Sequence, residues 1–590
     1  MDKNTIWAIV LSTLVIIASY ILLPIIFPSM RPEAPVDTVE VVEEPAELSI
    51  ENQLVEVDAD EEESAGGEEI LSEETYKVTT DKVEIVLTNK GGDIISYKLL
   101  DHLDMDTNEG VQLSENITSV NRACALSFGN VDSKIVDDLF TTEKINDYTY
   151  LFKKNITING KKVTVGKKYT FMPGEYLFKL EVLMHSSDGS GLDLNGVAYT
   201  IRTSPQIGPR YNPKQNRYEN RQFVTYNGNK YKRTILGVGQ FKKNDKESIW
   251  TGIAGKYFVE LMIPNAPETI NATYYSSKQE LEDFSNAQAF AERRAFTGSD
   301  IQDTYYMYYG PRDDKELKRY NIAENNGWNF SGKKITECLQ SSGWLNWLET
   351  ILKWIMKILY KVIPNWGLTI IVMTFLLKLV MFPLSKKQSL GTLKMQELQP
   401  KMKALQDKYK NDQQKLQVET QKLYQQAGYN PASGCLPMIF QFLILFAMYN
   451  LFNNYFEFRG ALFIPNWIPD LSTGDSVYTL KFDLPLLGNQ LRILPVIYVA
   501  SQLLSGKITQ YGQPAAGQSQ ASMKFMMYGM PLLFFFMFYN APAGLLLYWL
   551  TSNILQMVQQ IFINKMMADK RAEMSKSDST KKLPPKAKRK

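Results

Sequence analysis

The run WGLTIIVMTFLLKLVMFP, residues 366–383, decides how this chain is read. It is apolar from Trp366 to Phe382 except for one cation, Lys378, and it ends at Pro383. A charge near the centre of a membrane helix costs about 2.5–3.5 kcal/mol on insertion scales, so it needs water, a partner or a purpose. Seven residues, Leu379 to Ser385, separate it from Lys386. That is about 12 Å of helix, which puts Lys378 in the half of the span next to the following charges, where its stem could also snorkel outward.

The whole-chain averages hide this feature. Across 590 residues, 65 Lys and Arg nearly balance 63 Asp and Glu, as in a string of soluble domains. Apolar segments nevertheless crowd the last 250 residues. Six runs read as spans: residues 6–27, 366–382, 436–453, 493–504, 525–539 and 545–563, the fourth short and polar. The first is charge-free over 22 residues with no A-x-A site after it, so an uncleaved anchor is expected rather than a signal peptide. Residues 384–430 carry nine Lys and four acids, and 564–590 carry ten Lys or Arg against three acids. By the positive-inside rule both are cytoplasmic, and with six spans so is the N-terminus. Residues 28–342 then lie outside.

From Pro32 to Tyr76 there are 17 acids and no Lys or Arg, which predicts an extended acidic tether. Beyond it, short alternating runs are broken by turn residues. KVEIVL at 82–87 leads to Gly91-Gly92-Asp93, 148–152 and 156–158 meet Asn159-Gly160, 163–171 runs to Pro173-Gly174, and 176–183 follows. This predicts a β-sandwich. Both histidines, His102 and His185, fall here without a nucleophile or metal motif beside them. Cys124, Cys338 and Cys435 are far apart, which suggests neither a disulfide framework nor a zinc site. No catalytic constellation, cofactor site or metal site is read.

Residues 343–363 place Trp344, Trp347, Ile351, Leu352, Ile355, Ile358 and Val362 on one side of a helix, with Glu349, Lys353, Lys357 and Lys361 opposite. This predicts a helix lying in the membrane interface. In 384–430, one stripe runs through Leu390, Leu398, Met402, Leu405 and Tyr409 and a second through Leu416, Leu423 and Tyr424, with Asn411-Asp412 between. Two antiparallel helices are expected, their basic faces suited to a polyanion such as ribosomal RNA or anionic lipid. The expected organisation is an anchor at 1–28, a linker at 29–75, a sandwich at 76–342, an interfacial helix at 343–363, a core at 364–566 containing the hairpin 384–430, and a basic tail at 567–590.

No Asp, Glu or His occurs in any of the six runs, which counts against a proton-coupled carrier or an intramembrane protease. The polar inventory is Thr374 and Lys378, Gln441, Ser501 and Gln502, and Ser552, Asn553 and Gln556. Polar residues in several spans keep a transporter or channel as the alternative function.

Asn365-Trp366-Gly367, Thr374-Phe375 with Lys378 and Pro383, Leu398-Gln399-Pro400-Lys401, Asn430-Pro431 with Gly434-Cys435, and Pro542-Ala543-Gly544-Leu545 with Tyr548-Trp549 form an ordered set. Together they resemble the YidC family of membrane insertases. Upstream, Gly91-Gly92-Asp93, Lys256-Tyr257-Phe258 and Tyr309-Gly310-Pro311 look like the large periplasmic domain of its didermic bacterial form. The resemblance implies a non-enzymatic insertase and chaperone in a bacterial inner membrane. It implies five core helices around a hydrophilic groove open to cytoplasm and lipid, with Lys378, Thr374, Gln441, Tyr548 and Trp549 at groove positions. Met526, Met530 and Phe534 would line a substrate exit surface. The implied partners are nascent membrane proteins, the Sec translocon, the ribosome through the basic hairpin and tail, and lipids. Two departures stand out: Lys378 replaces the usual Arg, losing its planar fork, and Leu443 stands where some relatives carry a proline.

Overall fold

A computed structural model describes residues 71–510, apart from short gaps, and 525–580. The first expected span, nearly all of the acidic linker and residues 581–590 lie outside the described residues. Those described fall mainly in one compact unit, Ser64–Asn155 with Val163–Lys590.

The β-rich part holds a four-stranded sheet of Thr75–Thr79, Val83–Thr88, Asp93–Leu103 and Gly110–Gln112, so the first strand begins at the last residue expected for the linker. A nine-stranded antiparallel sheet runs, in spatial order, through Tyr231–Thr234, Gln222–Tyr226, Trp250–Ala254, Phe258–Pro264, Asp300–Pro311, Leu177–Ser186, Lys161–Thr170, Thr149–Ile158 and Thr141–Asn146. A five-stranded sheet orders Phe241–Asn244, Ile270–Ser276, Gln288–Arg294, Val197–Arg202 and Leu126–Phe128. The last two sheets face each other as a sandwich, with Trp250–Ala254 packed on Gln288–Arg294 and the Tyr199 and Tyr305 hydroxyls 2.9 Å apart. Each expected strand is present, with 148–152 and 156–158 joined in Thr149–Ile158, because inward residues such as Val83, Ile85, Val163 and Val165 are buried and alternate with more exposed ones.

The Gly-Gly-Asp motif has a geometric cause. Gly91 and Gly92 both take positive φ, and a Cβ on Gly92 would meet Phe152 Cβ at 2.9 Å. Asp93 is thereby turned inward, where it accepts from Arg122 Nε at 2.9 Å and from the Lys167 ammonium. Lys167 also donates to the Cys124 carbonyl at 2.8 Å, so this buried charge cluster is hydrogen-bonded throughout. Cys124 and Cys338 are free and buried. His185 is exposed beside Asp300, whereas His102 packs edge-on against Phe456 and Phe258.

Glu260 is another buried acidic residue, bonded by the Ser204 hydroxyl at 2.5 Å and the Ser204 N–H at 3.2 Å. Burial pushes its carboxyl up to about 8, against the opposing effect of those bonds and of Arg221.

The helices are α1 (Asp314–Arg319), α2 (Asn346–Val362), α3 (Trp366–Lys408), α4 (Gln413–Gln426), α5 (Pro431–Asn454), α6 (Leu494–Gln510), α7 (Met530–Phe538) and α8 (Ala543–Thr580). Among the described residues one, Trp366–Lys386, is long and apolar enough to cross a bilayer; Phe442–Asn454 and Leu494–Ile508 are shorter apolar helices. Three expectations change. Pro383 does not end α3, which runs unbroken through it and Pro400, so span and first hairpin helix are one element. Its second half meets α4 where the Tyr424 hydroxyl donates to Met402 Sδ at 3.2 Å. The run 525–539 is not one regular helix, because a π-helical turn, Phe525–Gly529, precedes α7. On α2, Glu349 is buried with Leu352 and Met356 on a stripe facing α3 and α5, while Trp347, Ile351, Trp354, Ile358 and Val362 form an outward stripe. Apolar residues therefore serve both faces of α2.

The loop 470–476 receives the starts of two helices. The Asp475 carboxylate accepts from the N–H groups of Ile493 and Leu494 and from Trp467 Nε1, each at 2.9 Å, and so caps α6 from a distance. The carbonyls of Leu471 and Thr473 accept from Gly544 and Ala543 at the start of α8, at 2.9 and 2.6 Å. A Cβ at Gly544 would lie 3.2 Å from both the Leu471 carbonyl and the Phe452 ring, a tight fit that either neighbour would have to ease by a few tenths of an ångström. Arg492 closes the loop, donating to the Asp475 carbonyl at 2.8 Å and to Asn540 at 3.1 Å. The β-rich part joins here through Lys256, whose ammonium is 3.3 Å from the Ser472 carbonyl, and through Leu103, whose carbonyl accepts from Arg459 at 2.8 Å.

Two outcomes are expected. A carboxyl with a raised folded-state value keeps its proton longer in the folded than in the unfolded state, so its contribution to stability is full at low pH and is lost as pH rises through about 8. Thermal unfolding of the full chain in detergent, followed by near-ultraviolet circular dichroism, will show that decline, and Glu260→Gln will flatten it. Asp475→Ala removes three accepted bonds at net values of about 1 kcal/mol each and should cost about 3 kcal/mol. It would be read as a lowered unfolding midpoint of the helical part.

Candidate functional site

The start of α3 is set by Asn365, whose side chain caps Leu368 N at 2.9 Å, and by Trp366 stacked on Tyr360 at 4.1 Å. Gly367 admits Phe463, which a Cβ would meet at 2.0 Å. Two turns further, Thr374 is buried and returns its hydroxyl to the Ile370 carbonyl at 2.6 Å. One turn beyond, Lys378 is half-buried, and its ammonium donates to Gln556 Oε1 of α8 at 3.1 Å. Gln559 Nε2 donates in turn to the Lys378 backbone carbonyl at 3.0 Å. An amide oxygen satisfies one of the three ammonium donors without neutralising the charge.

Gln556 belongs to a polar line along α8. Trp549, Asn553, Gln556, Gln560 and Asn564 recur at three- and four-residue spacing, on one face of the helix. Asn553 donates to Ser501 of α6 at 3.2 Å, and Gln502 donates to the Tyr498 hydroxyl at 2.8 Å. Trp549 is nearly buried, 4.5 Å from the Phe538 ring and 5.7 Å from Tyr498, and its indole N–H meets no acceptor among the described residues. Tyr548 turns the other way, 5.9 Å from Phe452 of α5. Trp549 and Gln556 are about 10 Å apart along the axis, so an aromatic site and a cationic site share one helix face.

The residues singled out from sequence are thus distributed. Lys378 and Thr374 stand on one face of α3, with Lys378 tied to α8. Tyr548 and Trp549 pack to opposite sides of α8. Gln441 lies on α5 and Met526 on the π turn, with side chains outside the described residues. Met530 is exposed, and Phe534 is half-buried against Phe538 at 5.8 Å. The sequence alone marked Gln556 only as one of the polar residues of the last run and passed over Gln559. The spacing of Trp549, Asn553 and Gln556 was the available signal.

Two family models match, one described as the YidC periplasmic domain over residues 75–355 and one as the 60Kd inner membrane protein over residues 358–571. A membrane protein insertase YidC of Treponema denticola is 43% identical, the match covering 96% of this chain and 100% of that one. A second, from Treponema pallidum, is 36% identical over 96% and 99%. A solved active YidC insertase with its first transmembrane domain resolved is 18% identical, with a TM-score of 0.33, covering 83% of this chain and 92% of that one. The chain therefore belongs to the YidC family of membrane protein insertases and is an inner-membrane protein with a periplasmic domain.

Proposed function

We propose that this chain inserts and helps fold membrane proteins by offering an exported, acidic segment a transient cationic contact at Lys378. It uses no covalent chemistry. The observation that carries the reading is the lateral Lys378–Gln556 bond, with no carboxylate countering the cation among the described residues. An ammonium held by a neutral amide keeps its charge available to a passing carboxylate, at less desolvation cost than breaking an ion pair.

The proposed arrangement has six spans, both termini in the cytoplasm and the β domain in the periplasm. Five helices, α3 and α5 to α8, form the core. Thr374, Gln441, Tyr548 and Trp549 share the groove with Lys378, while Met526, Met530 and Phe534 present an adaptable surface past which substrates enter lipid. The basic hairpin and tail meet the ribosome, and the Sec translocon cooperates on larger substrates.

A photocrosslinker at Gln441 or Met530 should capture a ribosome-bound nascent chain. Solute flux through proteoliposomes with no such adduct would favour a transporter instead. Lys378→Arg should be tolerated, whereas Lys378→Ala should slow insertion of substrates with acidic exported ends about tenfold, the cost of one charge-assisted bond near 1.4 kcal/mol, and neutral ones far less. Gln556→Glu would supply an internal counter-ion and should reproduce that selective loss. Combined with Lys378→Ala it should add nothing further.

A further inference from the structure

Between α5 and α6 the chain makes a two-stranded ribbon, Tyr478–Leu484 with Gly488–Leu491, which pairs with no other strand among the described residues. Its two faces differ. Tyr478 stands opposite Leu491 in the register and both are exposed, at 59% and 42%; Phe482, in the stretch where the register shifts, is exposed at 63%. On the other face Thr479 stands opposite Gln490, joined at 3.1 Å by their side chains. A lone hairpin of this size is marginal in water, and exposed aromatic and aliphatic side chains on one face make it more so.

The base of the ribbon is rigidly placed. The Val477 N–H donates to the Leu491 carbonyl at 3.0 Å, and the Tyr539 hydroxyl donates to the Gln490 carbonyl at 2.9 Å. Two residues after Leu491, Asp475 caps the start of α6; Ile493 just before that helix and Val496 and Ile497 within it are also exposed and apolar. The apolar face of the ribbon thus continues into the outward surface of an apolar helix, at the level where that helix begins. Aromatic rings favour that level of a bilayer, and the exposed Lys481 has the reach to extend its ammonium to phosphate while its stem stays low.

We propose that this ribbon is an interfacial foot, its Tyr478, Phe482 and Leu491 seated in lipid just beneath the headgroups of the outer leaflet. The proposal rests on the topology given above, with α6 in the bilayer and the loop outside. A lipid-seated foot at the mouth of α6 would fix that helix in depth and tilt, and with it the α6–α8 contact at Ser501 and Asn553.

The test uses the full chain with Cys435→Ser, since Cys124 and Cys338 are buried, in vesicles of phosphatidylethanolamine and phosphatidylglycerol. Spin labels are placed singly through Phe482→Cys, Tyr478→Cys, Thr479→Cys and Val496→Cys, and collisions with oxygen and with an aqueous nickel chelate are compared. Labels at 478, 482 and 496 should favour oxygen severalfold, and the label at 479 the chelate. A chelate-accessible 482 beside a lipid-protected 496 overturns the foot and leaves the topology standing. If 496 is also open to the chelate, the topology fails with it. Protection of 482 from both reagents would mean a protein covers the face, and would overturn the proposal as well.

Discussion

The helical part depends on how the first N–H groups of α6 and α8 are satisfied. A helix start that enters an apolar phase has no water to bond its free donors, so partners must come from the chain. The loop 470–476 supplies them twice, from the Asp475 carboxylate to α6 and from the Leu471 and Thr473 carbonyls to α8. The geometry is tight. A Cβ on Gly474 would fall 1.9 Å from the Arg492 guanidinium that closes the loop. One buried loop thereby fixes where two helices begin, and each residue along them inherits its depth from that point.

The consequence reaches the cation. Gln556 lies 13 residues beyond Ala543, about 20 Å down the α8 axis, and it meets Lys378 because α3 is positioned by its own start at Asn365, Trp366 and Gly367. The two helices are thus placed near their N-terminal ends and joined further along by Gln556 and Gln559. Lys256 and Leu103 tie the β-rich part to the same stretch of chain. The Lys-Tyr-Phe motif has a use within the fold: Lys256 reaches the Ser472 carbonyl, and the Phe258 ring is 6.1 Å from Phe456.

How much of this was legible follows from the range of each interaction. Strand alternation and turn glycines are local, so the sandwich could be read directly, and the positive φ at Asn159 and Gly160 is what that dipeptide signals. Amphipathic spacing is also local, and α2 was found, but its second face was not. Periodicity reports that a side is apolar and is silent on whether protein or lipid covers it. Pro383 was read as the end of the span because it removes an N–H, at a local cost of about 3 kcal/mol. Propensity at single positions does not carry what packing along a 43-residue helix contributes. The cap on α6 comes from a residue 18 positions upstream, across a ribbon, and no local pattern announces it.

Lys378 had two readings from sequence, a stem snorkelling along α3 toward Lys386 or a cation facing a groove. These differ in direction. A snorkelling lysine runs roughly parallel to its own helix and ends among the next charges. Here the ammonium crosses sideways to α8 and ends on Gln556, and Gln559 closes on the lysine's own backbone from the same helix. Two amides from one neighbour leave little reason for the side chain to extend along its axis. What they do not supply is a negative charge, and an ammonium in an apolar run with only neutral acceptors is stabilised further by any carboxylate that reaches it. That asymmetry, satisfied as a donor but uncompensated as a charge, is the physical basis for reading the position as a receptor instead of a strut.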